Sequence, residues 1–147
     1  MLSHSPDDDI ALLIARTRAL HADQVAAWDV AFDPAFVSEA RKHATAQLTA
    51  WGLDNAVFIT ELVVSELVTN AIRYGQPPIQ LRLIHADSTL ICEVFDSSGT
   101  SPHLRRARTF DEGGRGLLLV AQLSERWGTR HASTGKTIWA EQPLSAA

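Results

Sequence analysis

Residues 61–74, ELVVSELVTNAIRY, constrain this chain more than any other stretch. They are dense in Leu, Val and Ile, as a helix buried on most of its sides is. Glu66 and Asn70 interrupt the pattern, and their spacing sets both side chains on one face, a turn apart. A carboxylate and a carboxamide are costly to bury without partners, so that face should meet something polar. Magnesium phosphate fits, because the hard cation takes oxygen ligands and keeps several of its waters. A solvated stripe on a core helix is the competing reading at this point.

The remaining composition narrows the alternatives. A chain of 147 residues is long enough for one domain with a proper core and an extension. A net charge of −4 argues against a nucleic-acid binder. There is no signal segment and no uninterrupted apolar run long enough to span a bilayer, so no membrane association is expected. Cys92 is the single cysteine, which excludes an internal disulfide and suits a reducing cytoplasm. The six histidines are scattered without metal-ligand spacing, which leaves a structural zinc site without support.

Taken in order, Asp7-Asp8-Asp9 leads into an aliphatic run from Ile10 to Ile14, which reads as a strand or the start of a helix, and residues 17–27 read as a linker. Trp28, Val30 and Phe32 alternate as a strand. Asp33-Pro34 starts a helix whose apolar positions, from Phe36 to Leu48, recur at helical spacing until Trp51-Gly52. Asp54 is expected to cap the next helix, which contains the opening stretch and stops at Gly75. Residues 79–85 and 89–95 form a hairpin, residues 96–113 a long irregular connection, and Gly114-Arg115-Gly116 opens a helix. A second hairpin joins residues 127–132 and 137–140. The four tryptophans, Trp28, Trp51, Trp127 and Trp139, read as core.

On this order sit Ser65-Glu66-Leu67-Val68-Thr69-Asn70-Ala71, Asp96 at a strand end, Gly114-Arg115-Gly116-Leu117, and Gly135-Lys136-Thr137-Ile138-Trp139. From about Trp28 to Pro143 the chain resembles the GHKL (Bergerat) ATP-binding fold. Its phrases are those of the anti-sigma-factor serine kinase branch of the actinobacterial type. The resemblance implies an α/β (α+β) two-layer sandwich, a mixed and mainly antiparallel sheet with helices on one face, and ATP with Mg2+ as cofactors. Residues 28–147 would form that domain. Residues 1–27 would be an extension resembling the end of a sporulation-type metal-dependent phosphatase domain, with Asp8 once a metal ligand.

Carried over residue by residue, Asn70 matches the magnesium-ligating Asn and Glu66 the general base of the kinase members. Asp96 matches the residue that accepts a hydrogen bond from the adenine amino group, and Thr137 a threonine supporting that contact. Gly114 and Gly116 match glycines whose backbone N–H groups approach the phosphates at a helix N-terminus. Two departures stand out. The superfamily follows its strand with Asp-x-Gly-x-Gly, where this chain has Asp96-Ser97-Ser98-Gly99-Thr100, leaving Gly99 as the loop glycine. Some kinase members carry Arg where this chain has Glu112, so phosphate contact would fall to Arg115 or to Arg105, Arg106 and Arg108. Gly135-Lys136-Thr137 is not a P-loop, because Arg130 stands where that motif needs glycine and a strand follows.

The expected function is an ATP-dependent serine/threonine protein kinase that phosphorylates an anti-sigma-factor antagonist, and so takes part in transcription regulation. The alternative is an ATP-binding, partner-binding module without kinase turnover, within a larger phosphatase-containing protein. The expected partners are the antagonist and a sigma factor. The aliphatic run near the N-terminus raises a homodimer as a further expectation.

Overall fold

A computed structural model describes residues 21–99 and 112–144, with the side chains of 112–116 left undescribed. Asp8, the aliphatic run after it and the arginines at 105, 106 and 108 lie outside the described residues.

The chain forms β1 (Val25–Val30), α1 (Phe36–Ala50), α2 (Val57–Tyr74), β2 (Ile79–Ala86), β3 (Thr89–Asp96), α3 (Glu112–Leu123), β4 (Arg126–Ala132) and β5 (Gly135–Pro143). The five strands make one sheet in the order β1-β2-β3-β5-β4. Expected to be mixed and mainly antiparallel, it is antiparallel at every described pairing. Alternation divides its two faces. Leu81, Leu83, Leu90, Cys92, Val94, Ile138 and Ala140 point into one core with the three helices. The result is the two-layer α+β sandwich that the strand and helix order implied.

Local chemistry sets the ends of the elements. Asp33 accepts a hydrogen bond from the Ala35 N–H at 2.9 Å ahead of α1. That helix buries Ala40, Ala44 and Leu48, one residue per turn. It closes on Gly52, whose φ of 73° lets the Leu53 N–H reach back to the Leu48 carbonyl at 2.8 Å. Asp54 does not cap α2. It begins a short 3₁₀ turn, Asp54–Ala56, and neither the turn nor α2 has a side-chain cap. β1 starts at Val25 rather than Trp28, because residues 25–30 pair in unbroken register with β2. Asp87, at φ 51°, makes the tight turn between β2 and β3.

α2 is the spine of the domain. Leu67, Val64 and Val68 are fully buried, each contributing about 1.5–3 kcal/mol by leaving water. Asp54–Tyr74, taken as one helical segment of mean hydropathy 1.3, is long and apolar enough to cross a membrane by length and composition. Glu61, Glu66 and Arg73 interrupt that segment, so it is not an uninterrupted apolar run. Here the helix packs between α1, α3 and the sheet. Two tryptophans also depart from the core reading. Trp127 is 37% exposed on the edge strand β4, and Trp139 lies half-buried on the sheet face away from the helices, above Gly128.

Cys92 sits under the helices, and burial, with a smaller contribution from the neighbouring Glu93 carboxylate, pushes its thiol far above the ordinary range. Thiolate is the reactive form. A thiol reagent at pH 8 should therefore modify Cys92 only as fast as the domain opens, with modification following the unfolding transition in urea. Labelling of the native protein at the rate of a free thiol would show this packing to be wrong.

Candidate functional site

The site is built on the flank of α2 that α1 leaves uncovered. Arg41 donates to Ser65 Oγ at 3.1 Å, and Thr45 donates to Glu61 Oε2 at 2.7 Å, so α1 takes the side bearing Glu61 and Ser65. At about 100° per residue, Asn70 lies roughly 140° around the helix from Ser65. α3 packs against α2 as well. Asn70 is buried, 6% exposed, and Glu66 is half-buried one turn before it. The shared face expected of these two residues is present. Gly114 and Arg115 lie in the first turn of α3, which begins at Glu112, ahead of the expected glycine, and Gly116 opens its second turn.

Asp96 ends β3 against the C-terminus of α2 and is 2% exposed. Its Oδ1 accepts from the Ser98 N–H at 2.7 Å and the Gln76 N–H at 3.3 Å. Its Oδ2 accepts from Lys136 Nζ at 2.8 Å. The same ammonium donates to Ser98 Oγ at 3.3 Å. Lys136 is itself 2% exposed, making this a fully desolvated ion pair. Such a pair contributes through its geometry and its accompanying hydrogen bonds, because the cost of desolvation offsets much of the attraction.

The loop after Asp96 is held by hydroxyl and backbone hydrogen bonds, and Ser98 stands where the superfamily pattern has its first glycine. Ser97 donates from its backbone to the Gln76 carbonyl at 3.0 Å and from its hydroxyl to the Pro77 carbonyl at 2.6 Å. The turn between α2 and β2 and the loop through Gly99 are thereby tied together. Gly99 itself has open space where a Cβ would stand. Gly75 does not: a Cβ there would lie 2.5 Å from Asp96 Cγ and 2.6 Å from the Ala71 carbonyl oxygen.

Thr137 is not brought to Asp96. It pairs across the sheet with Phe95, while Lys136 pairs with Asp96. Since neighbours on a strand face opposite ways, Thr137 projects to the face away from the helices. Sequence reasoning missed Lys136, although a signal was present. Lys136 shares its parity with Ile138 and Ala140, both inward and apolar. A lysine in that register needs a buried acidic partner.

The arrangement can recognise a group carrying both a hydrogen-bond donor and phosphate. A buried carboxylate stands at one end, a carboxamide and a carboxylate on the helix flank, and a glycine-bearing helix start supplies backbone N–H groups. Among the described residues, no cluster of acidic, histidine or cysteine side chains could cage a metal ion. The family model for the histidine kinase-like ATPase domain matches residues 30–141. No curated protein matches the chain.

Gly75→Ala should destabilise the domain by about 1–3 kcal/mol, because the new methyl overpacks Asp96 and a backbone carbonyl. Gly52→Ala meets nothing within 4 Å and is limited to the strain of its positive φ. Urea unfolding of both variants checks the order; equal stability of Gly75→Ala and the parent would place Asp96 elsewhere.

Proposed function

The chain belongs to the histidine kinase-like ATPase domain family, and from that premise we propose that it binds ATP and phosphorylates a serine on an anti-sigma-factor antagonist. The observation that carries this reading is the placement of Glu66 and Asn70 one turn apart on the flank of α2 away from α1, with Asp96 buried at the end of that helix. Adenine would meet Asp96 through its amino group, and the phosphates would lie toward the start of α3, where Gly114, Arg115 and Gly116 stand.

Magnesium, when bound, draws charge from the phosphate oxygens. The Asn70 carboxamide oxygen is the kind of single protein ligand that a magnesium takes alongside nucleotide phosphates and water. The chain's own residues would do the rest by positioning and charge. The substrate serine oxygen attacks the γ-phosphorus as the bond to the β,γ-bridging oxygen breaks. ADP leaves with that electron pair, and the hydroxyl proton passes to the Glu66 carboxylate.

A second reading has a specific observation in its favour. Asp96 is already engaged by Lys136, Ser98 and Gln76, and the loop beyond it is stitched down where the superfamily pattern is glycine-rich. That suits a nucleotide-binding module which holds a sigma factor or antagonist without turnover, beside an upstream phosphatase domain.

Two substitutions separate binding from chemistry. Asn70→Ala should weaken Mg-ATP binding by about 10–100-fold, the worth of one charge-assisted contact, with the fold intact by circular dichroism. Unchanged affinity in calorimetry would remove the ATP site from this flank. Glu66→Gln should keep nucleotide binding while transfer from labelled ATP to an antagonist falls by roughly 10²–10⁴-fold. Transfer at the parent rate would make Glu66 structural, and its absence in the parent with every antagonist would leave the module reading.

A further inference from the structure

The buried pair at the end of β3 has a hydrogen-bond count that does not close. An ionised carboxylate offers about four acceptor positions and an ammonium three donors. Among the described residues Asp96 accepts from three groups, Lys136, Ser98 and Gln76. Lys136 donates to two, Asp96 and Ser98. One acceptor position on Asp96 and one N–H on Lys136 therefore remain, side by side, on groups each 2% exposed. A buried donor without a partner is costly, and a ligand that supplies both missing partners recovers that cost.

Resting on the ATP-binding reading above, we propose that Lys136 is a base-specificity residue that donates its remaining N–H to N1 of adenine while Asp96 accepts from the neighbouring amino group. An acceptor beside a donor is the complement of adenine's Watson–Crick edge, where the amino N–H adjoins the unprotonated N1. Guanine in the same orientation presents a carbonyl to Asp96 and an N–H to Lys136, and is opposed at both positions. The register explains why the residue is lysine. Residue 136 lies directly across from Asp96, and its long side chain can engage the carboxylate and still carry a further donor. Gly135 allows the close approach, since a Cβ there would collide with the Asp96 carbonyl oxygen and the Ser97 Cα. At 2% exposure the pair meets a base only where the surrounding side chains give way on binding.

The test is a cycle between protein and ligand, comparing ATP with 1-deaza-ATP on the parent chain and on Lys136→Met. The parent should bind ATP at least about tenfold tighter than 1-deaza-ATP, the worth of one hydrogen bond from a charged donor. Lys136→Met should lose that difference, binding the two equally. A merely structural lysine would weaken both ligands together and leave their ratio intact, which overturns the proposal. Equal binding of both ligands by the parent overturns it as well, without any variant. Should Lys136→Met fail to fold, Asp96→Asn/Lys136→Met removes both charges together and carries the same comparison, since the Asn oxygen still accepts from the amino group. A parent that binds neither ligand removes the ATP reading and this inference with it. A parent that binds both, with the ratio unmoved by the substitution, removes the inference alone.

Discussion

The carboxylate of Asp96 is where three separate stretches of chain meet, and the site end of the domain depends on it. It receives the backbone of the turn after α2, the backbone of its own loop, and the ammonium of β5. The bond from Ser98 is a local turn bond, while those from Gln76 and Lys136 join parts of the chain distant in sequence. They fix the end of the helix layer against the end of the sheet, which apolar packing alone would leave free to slide. Hydrophobic contact is non-directional; the carboxylate supplies the direction. Gly75 is the geometric condition for this meeting, because the carboxylate occupies the place of its missing side chain.

The apolar half of the fold follows a different rule. α2 buries one side against the sheet and another against α1, and its polar residues sort by flank. Glu61 and Ser65 meet Thr45 and Arg41 of α1, while Glu66 and Asn70 take the other side. At the far end Thr60 accepts from Gln142 of β5 at 2.6 Å, pinning the start of the same helix to the sheet. Thr60, Glu61, Ser65, Glu66 and Asn70 of this apolar helix therefore each have an assignable direction. Only the flank of Glu66 and Asn70 leads to the site. On the opposite sheet face, Arg82 and Arg130 both bind Glu93, at 2.9 and 2.8 Å, so a buried carboxylate there is closed by two guanidinium groups.

The order of elements, the α+β layering and the Glu66–Asn70 face were legible because each rests on periodicity, and periodicity survives in a single sequence. The errors came where long-range pairing decides. β1 reaches back to Val25 because β2 offers it partners, and Trp127 is exposed because β4 is an edge. Asp54 looked like a cap by type, yet the chain enters α2 through a 3₁₀ turn with no side-chain cap. Thr137 was favoured by motif position over Lys136. The parity of Ile138 and Ala140 sets Lys136, rather than Thr137, on the helix-facing side of the sheet.

The presence of Ser98 where the superfamily pattern has its first loop glycine, beside Ser97, also has a thermodynamic consequence. A glycine-rich loop loses more conformational freedom on ordering than any other, and a ligand that orders it must supply that free energy. Here the loop through Gly99 is already ordered by the Ser97 hydroxyl on Pro77 and the Asp96 carboxylate on Ser98. On the proposed reading, a base would meet a loop whose backbone is already ordered, while the side chains around Asp96 and Lys136 would still have to give way. On the same reading, phosphate recognition would be separate, resting on the first turn of α3 and on Asn70. A domain so arranged would bind the base end of its nucleotide beside an ordered loop and leave the phosphate end to determine whether bound nucleotide is held or turned over. On the proposed reading, that division would let one fold serve either as a kinase or as a nucleotide-dependent binding module.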